Sequence, residues 1–181
     1  MRRYVLTGTP GAGKTSILLE LGRRGHPVVH EAATDVIARA TRDSVDRHWE
    51  QTSFIANILA VQRERQSAPA TAGSGVQFYD RSPICTLALA EYLYHPVPAT
   101  LVAEIESIRS ECFYEHEVFF VRDLGFVERT FARRITYEES LEFEAVHVAA
   151  YESLGYELID VPQGTVAERA GLIDGAAQSW T

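Results

Sequence analysis

The stretch Gly8-Thr9-Pro10-Gly11-Ala12-Gly13-Lys14-Thr15 has a glycine, four free positions, then Gly-Lys-Thr, the spacing of a phosphate-binding P-loop. Phosphate oxygens need several backbone N–H donors converging on one point. Glycines let the chain wrap that closely because they accept positive φ and carry no Cβ. A helix that follows adds its unpaired N–H groups and positive dipole end. Lys14 reaches the outer phosphates as a compact point charge, and the Thr15 hydroxyl is suited to Mg2+. The expected nucleotide contacts are therefore Gly8, Pro10, Gly11, Ala12, Gly13, Lys14, Thr15 and Ser16. Lys14 is the only lysine in the chain, every other basic residue being arginine. A planar guanidinium would not fit between phosphates where an ammonium does.

Two carboxylates stand where they could serve that site. Glu31 ends the short strand-like run His26-Pro27-Val28-Val29-His30, and Asp80 closes the apolar run Val76-Gln77-Phe78-Tyr79. In an open α/β sheet the carboxyl ends of the strands line the ligand crevice, so both can face a phosphate being transferred. A carboxylate closing a strand downstream of a P-loop is placed to hold Mg2+ with Thr15 or to orient the nucleophile. Arg81 beside it either holds a phosphate or pairs with an acid. Arg129, Arg133 and Arg134 cluster within an otherwise acidic protein.

The surrounding elements alternate. Tyr4-Val5-Leu6 reads as the strand that delivers the P-loop, and Ser16 to Leu21 as the helix that leaves it. Helical spacing predicts helices over Ala32 to Arg42, about Arg47 to Gln66, Ile84 to Tyr94 and about Thr100 to Glu111, with a surface loop over Gln66 to Gly75. Glu117 to Arg122 and Tyr156 to Val161 read as the fourth and fifth strands. Thr136 with Glu139, and Thr165 with Glu168, form capping boxes that open the last two helices. The expected fold is α/β: a three-layer P-loop NTPase with a five-stranded parallel sheet flanked by helices, plus an arginine-rich lid over about 123–135.

Bulk properties limit the partners. At 181 residues and 46% hydrophobic content the chain suits one domain, and its formal charge of −8 argues against a nonspecific nucleic-acid surface. Cys85 and Cys112 have neither metal-ligand spacing nor a Cys-rich context, and read as reduced thiols. No run approaches the roughly 18 apolar residues of a membrane span, and no apolar signal core precedes the first strand. The expectation is a cytoplasmic protein without membrane contact. Its oligomeric state is open, a homodimer being one option.

The P-loop, Glu31, Asp80-Arg81-Ser82 and the arginine segment before a long helix together resemble the P-loop small-molecule kinases, the deoxynucleoside kinases having the most similar layout. The run Tyr151 to Pro162 also resembles AAA-domain predicted ATPases grouped near nicotinamide-riboside kinases. Asp80 stands where those nucleoside kinases usually have Glu, and the spacing from Arg129 to Arg133-Arg134 also differs. The resemblance implies that Lys14, Arg129 and Arg133 balance charge on the transferring phosphoryl group, and that Thr15 and Asp80 organise Mg2+. It implies Glu31 or Asp80 as the base for an acceptor hydroxyl, Pro162 as an adenine neighbour with Arg129 also at the nucleotide, and Trp49, Phe54, Tyr92 and Tyr94 on the acceptor side.

The implied reaction is Mg-ATP-dependent transfer of a phosphoryl group to a hydroxyl of a small molecule. An ATPase or nucleotide switch acting through a protein partner is the alternative. A guanine switch motif of the Asn-Lys-x-Asp type cannot exist in a chain whose only lysine is Lys14, and no Asp-x-x-Gly occurs. A third class is a nucleotide-binding scaffold without turnover.

Overall fold

Apolar side chains on both faces of the central strands force helices onto both sides of the sheet. In the computed structural model, which describes residues 1–42, 48–51, 53–68, 75–125 and 136–180, strand β1 (Arg2–Gly8) alternates accordingly. Tyr4 and Leu6 enter one core while Val5 enters the other. Strands β3 (Val76–Asp80) and β4 (Glu117–Val121) divide in the same way, Phe78 and Phe119 to the first core and Tyr79 and Val118 to the second. With β2 (Val28–Val29) and β5 (Glu157–Val161) they form a wholly parallel sheet in the order β2-β3-β1-β4-β5.

The first face is covered by α1 (Lys14–Arg23) and α7 (Val166–Ser179), through Ile17, Leu18, Leu21 and Ile173. The second takes α2 (Ala32–Arg42), α3 (Ser53–Ser67), α4 (Pro83–Tyr92), α5 (Ala99–Ser110) and α6 (Tyr137–Ser153). Both capping boxes form, Thr136 accepting from the Glu139 amide and Thr165 from that of Glu168. Neither cysteine is in a disulfide; Cys85 is buried and Cys112 exposed. Among the described residues no helix is long and apolar enough to cross a membrane.

Several boundaries differ from the sequence expectation. The second strand shrinks to Val28–Val29 at the sheet edge, and Glu31 lies past it at the foot of α2. Pro27 contributes only its carbonyl, which accepts from the Phe78 amide at 3.0 Å, since it has no N–H to give. The expected helix from Arg47 begins at Ser53, after a short 3-10 turn over His48–Glu50. Helix α4 stops at Tyr92, and Tyr94 turns outward with φ 54°. Of the proposed lid, only Asp123, Leu124 and Gly125 are described; Arg129, Arg133 and Arg134 lie outside the described residues.

Candidate active site

The P-loop hangs between the end of β1 and the start of α1, and its glycines do what their type allows. Gly8 has φ 120° and presses against the Val121 carbonyl, where no Cβ would fit. Gly13 sits at the N-cap of α1 in the left-handed region, φ 85°, and offers no side-chain cap. The first turn of α1 holds no acidic residue either. The amide groups at this terminus are thus left for an anionic ligand. Lys14 Nζ donates to the carbonyls of Gly8 and Thr9 at 3.0 and 2.8 Å. Burial and the neighbouring Arg81 charge push its ammonium down to about pKa 7.

The end of β3 supplies the acidic side. Thr15 Oγ1 donates to Asp80 Oδ2 at 3.0 Å, while Asp80 Oδ1 is buried with no hydrogen-bond partner among the described residues. An orphaned carboxylate oxygen beside a threonine hydroxyl fits a hard divalent cation completed by phosphate oxygens. Burial and the nearby Glu31 charge push Asp80 up to about pKa 6. Arg81, at φ 70°, turns its guanidinium back over the site. Its Nε donates to Glu31 Oε1 at 2.7 Å, one terminal nitrogen to His147 Nε2 at 2.9 Å and the other to the Gly8 carbonyl at 3.4 Å. Burial disfavours ionised Glu31, but the Arg81 and Lys14 charges outweigh it and hold the carboxyl below its ordinary range. Thr34 donates to its other oxygen at 2.8 Å.

Helix α6 locks this arrangement from behind. His147 Nδ1 faces the Phe143 carbonyl at 2.9 Å, so that nitrogen carries the proton and Nε2 accepts from Arg81. Burial and the Arg81 charge push His147 down to about pKa 3, which keeps it neutral. One turn later Tyr151 OH meets Ser82 Oγ at 2.7 Å and Cys85 Sγ at 3.2 Å. Glu144 accepts from the P-loop Thr9 hydroxyl and from Arg122.

A single cavity of about 600 Å³ joins these groups to an apolar chamber lined by Ile37, Trp49, Phe54, Ile58, Leu89, Tyr92 and Phe143. A family model described as an AAA domain, AAA_28, matches residues 3–169. The chain belongs to this family. No curated protein matches it. Among solved structures, deoxyadenosine kinase from M. mycoides is similar at 14% identity and TM-score 0.60, covering 98% of this chain and 99% of that one. Shikimate kinase from Acinetobacter baumannii matches at 14% and 0.61, over 99% of this chain and 94% of its own. NadR in complex with NR matches at 18% and 0.67, and this AAA domain, 98% covered, corresponds to 50% of that chain. At such identities the likeness establishes the fold, that of the P-loop small-molecule kinases.

Within the AAA domain the cavity gathers Pro10, Gly11, Gly13, Lys14, Thr15, Ser16, Glu31, Asp80 and Arg81. Gly8 and Ala12, expected among the nucleotide contacts, do not line the cavity, and Ala12 is in the core. Pro162 is exposed and does not line the cavity. Trp49, Phe54 and Tyr92 do, whereas Tyr94 is 95% exposed and points away from it. Sequence reasoning missed His147, Glu144 and Arg169. His147 had a signal, a polar residue in the Phe143, His147, Tyr151 stripe that α6 buries. Arg169 had none, since its partner Ala12 is 157 residues away.

Proposed function

We propose that this AAA domain is an Mg-ATP-dependent phosphotransferase that moves the γ-phosphoryl group to a hydroxyl of a small, largely uncharged molecule. The observation that carries the reading is the single cavity in which the P-loop, Glu31, Asp80 and an apolar chamber meet. The P-loop amides and Lys14 hold the phosphates, and Thr15 with Asp80 are the groups that would hold Mg2+. When bound, the metal neutralises charge on the β- and γ-phosphate oxygens.

Glu31, ionised and fixed by Arg81 and Thr34, accepts the hydrogen bond of the acceptor hydroxyl and orients its oxygen. That oxygen bonds to the γ-phosphorus as the bond to the β–γ bridging oxygen breaks, and the hydroxyl proton passes to the carboxylate. Apart from Glu139, whose carboxylate accepts from the Thr136 amide at 2.7 Å in the α6 capping box, the far chamber is lined by uncharged residues, which favours a neutral acceptor body. Gln62 accepts from Thr86 through Oε1 at 2.9 Å, which turns its NH2 group into a donor for that body. A nucleoside fits this chemistry, as do other flat hydroxylated metabolites. The arginines at 129 and 133 would add positive charge from the lid, and closure would keep water from the γ-phosphate.

The test is phosphoryl transfer from ATP across nucleosides and other neutral hydroxyl compounds. Acceptor-dependent ADP release supports the reading, and strictly acceptor-independent hydrolysis counts against it.

A further inference from the structure

Arg169 is a cation buried under the P-loop without a carboxylate partner among the described residues. It lies on α7 one turn past the Thr165 cap and is 4% exposed. One terminal nitrogen donates to the Ala12 carbonyl at 2.7 Å and the other to the Arg122 carbonyl at 2.7 Å. Its Nε is buried with no hydrogen-bond partner among the described residues. Burying an unpaired charge costs stability, and two carbonyls can be tied by neutral donors. A guanidinium at this position therefore needs a reason beyond bracing.

The Ala12–Gly13 peptide supplies one. The bond is trans, so its C=O and N–H point in opposite directions. With the Ala12 oxygen drawn toward α7, the Gly13 N–H is turned the other way, to the side where Gly13, Lys14 and Thr15 line the cavity. A Cβ placed on Gly13 would sit 3.6 Å from the Arg169 guanidinium, so the charge lies directly behind the phosphate-facing backbone. The second bond ties the same side chain to Arg122, where β4 gives way to the segment that leads into residues 123–135.

We propose that Arg169 is a positioning residue for the donor nucleotide: it aims the Gly13 amide at the phosphates and supplies an uncompensated positive charge from behind the loop. This rests on the nucleoside triphosphate reading of the P-loop but not on the identity of the acceptor. A lysine keeps the charge but loses the planar fork that spans two carbonyls, and a glutamine keeps a donor but loses the charge.

The experiment titrates wild type, Arg169→Lys and Arg169→Gln with ATP, ADP, AMP and adenosine by calorimetry, in magnesium, with melting temperatures recorded alongside. The expected result is an ATP affinity lowered about tenfold or more in Arg169→Gln and less in Arg169→Lys, the deficit shrinking with each phosphate removed and vanishing for adenosine. If Arg169→Gln does not fold, the phosphate series on Arg169→Lys decides. Unchanged ATP affinity in a folded variant, or an equal loss for adenosine, overturns the proposal while leaving the kinase reading intact. A wild-type protein that binds no nucleotide overturns both.

Discussion

The hydroxyl of Thr15 and the carboxylate of Asp80 are joined by a 3.0 Å hydrogen bond, although 65 residues separate them in the chain. Thr15 comes from the first turn of α1 and Asp80 from the last residue of β3, and the parallel pairing of β1 with β3 brings the two ends together. Asp80→Asn removes the charge but nearly keeps the shape. It is expected to lower turnover about 100-fold or more at saturating magnesium, with the fold retained, because charge at this position acts mainly in the transition state. Steady-state kinetics over a magnesium series check it, and chelation of magnesium from wild type should give a comparable loss.

Lys14→Ala removes the only ammonium at the phosphates and both bonds that gather the loop carbonyls. ATP affinity is expected to fall about tenfold or more, with Lys14→Arg no better, because the broader guanidinium cannot occupy the same slot. Calorimetric titration of each variant decides this, and arginine rescue would contradict it.

Glu31→Gln should separate binding from transfer. The amide still meets Arg81 and Thr34 but no longer accepts the hydroxyl proton, so kcat is expected to fall about 100-fold or more while the KM for ATP changes little. A nucleotide-binding scaffold without turnover would respond to neither this change nor Asp80→Asn.

His147 makes stability depend on pH in a defined sense. Its folded pKa, about 3, lies below the ordinary 6.5, so between those values the unfolded chain binds a proton that the folded chain refuses. The contribution is full above about pH 6.5 and is lost as pH falls toward 3, with a slope approaching about 1.4 kcal/mol per pH unit. His147→Gln keeps an acceptor for Arg81 and should flatten that slope in urea unfolding measured from pH 7 to 4.5. Parallel curves for the two proteins would contradict the neutral buried histidine.

Gly8→Ala tests the close approach of β1 and β4. A methyl group at φ 120° would overlap the Val121 carbonyl oxygen, which belongs to the paired strand and cannot move aside alone. Destabilisation of about 3 kcal/mol or more is expected, read as a lower midpoint in chemical denaturation.

Much of this was legible before any coordinates. The P-loop announces itself because glycine φ, phosphate geometry and a helix start are local requirements met by adjacent residues. Strands β1, β3 and β4 carry apolar side chains on both faces, and the capping boxes at Thr136 and Thr165 need only four consecutive positions. What periodicity could not reveal was where β2 would stop, since an edge strand is limited by what pairs with it, or that Tyr94 would leave the helix and face solvent.

The amino-acid sequence by itself determined a phosphate cradle, a parallel sheet and the carboxylate that ends β3, because each follows from neighbours along the chain. Only the tertiary structure decided how the charges are shared. Arg81 could have held a phosphate or an acid, and folding gives it Glu31 on one side and a neutral His147 from α6 on the other. Arg169 reaches Ala12 across 157 residues. Such contacts depend on how helices seat on the sheet, and the strength of a charge depends on how much water that seating excludes. Neither quantity is written in the spacing of residues.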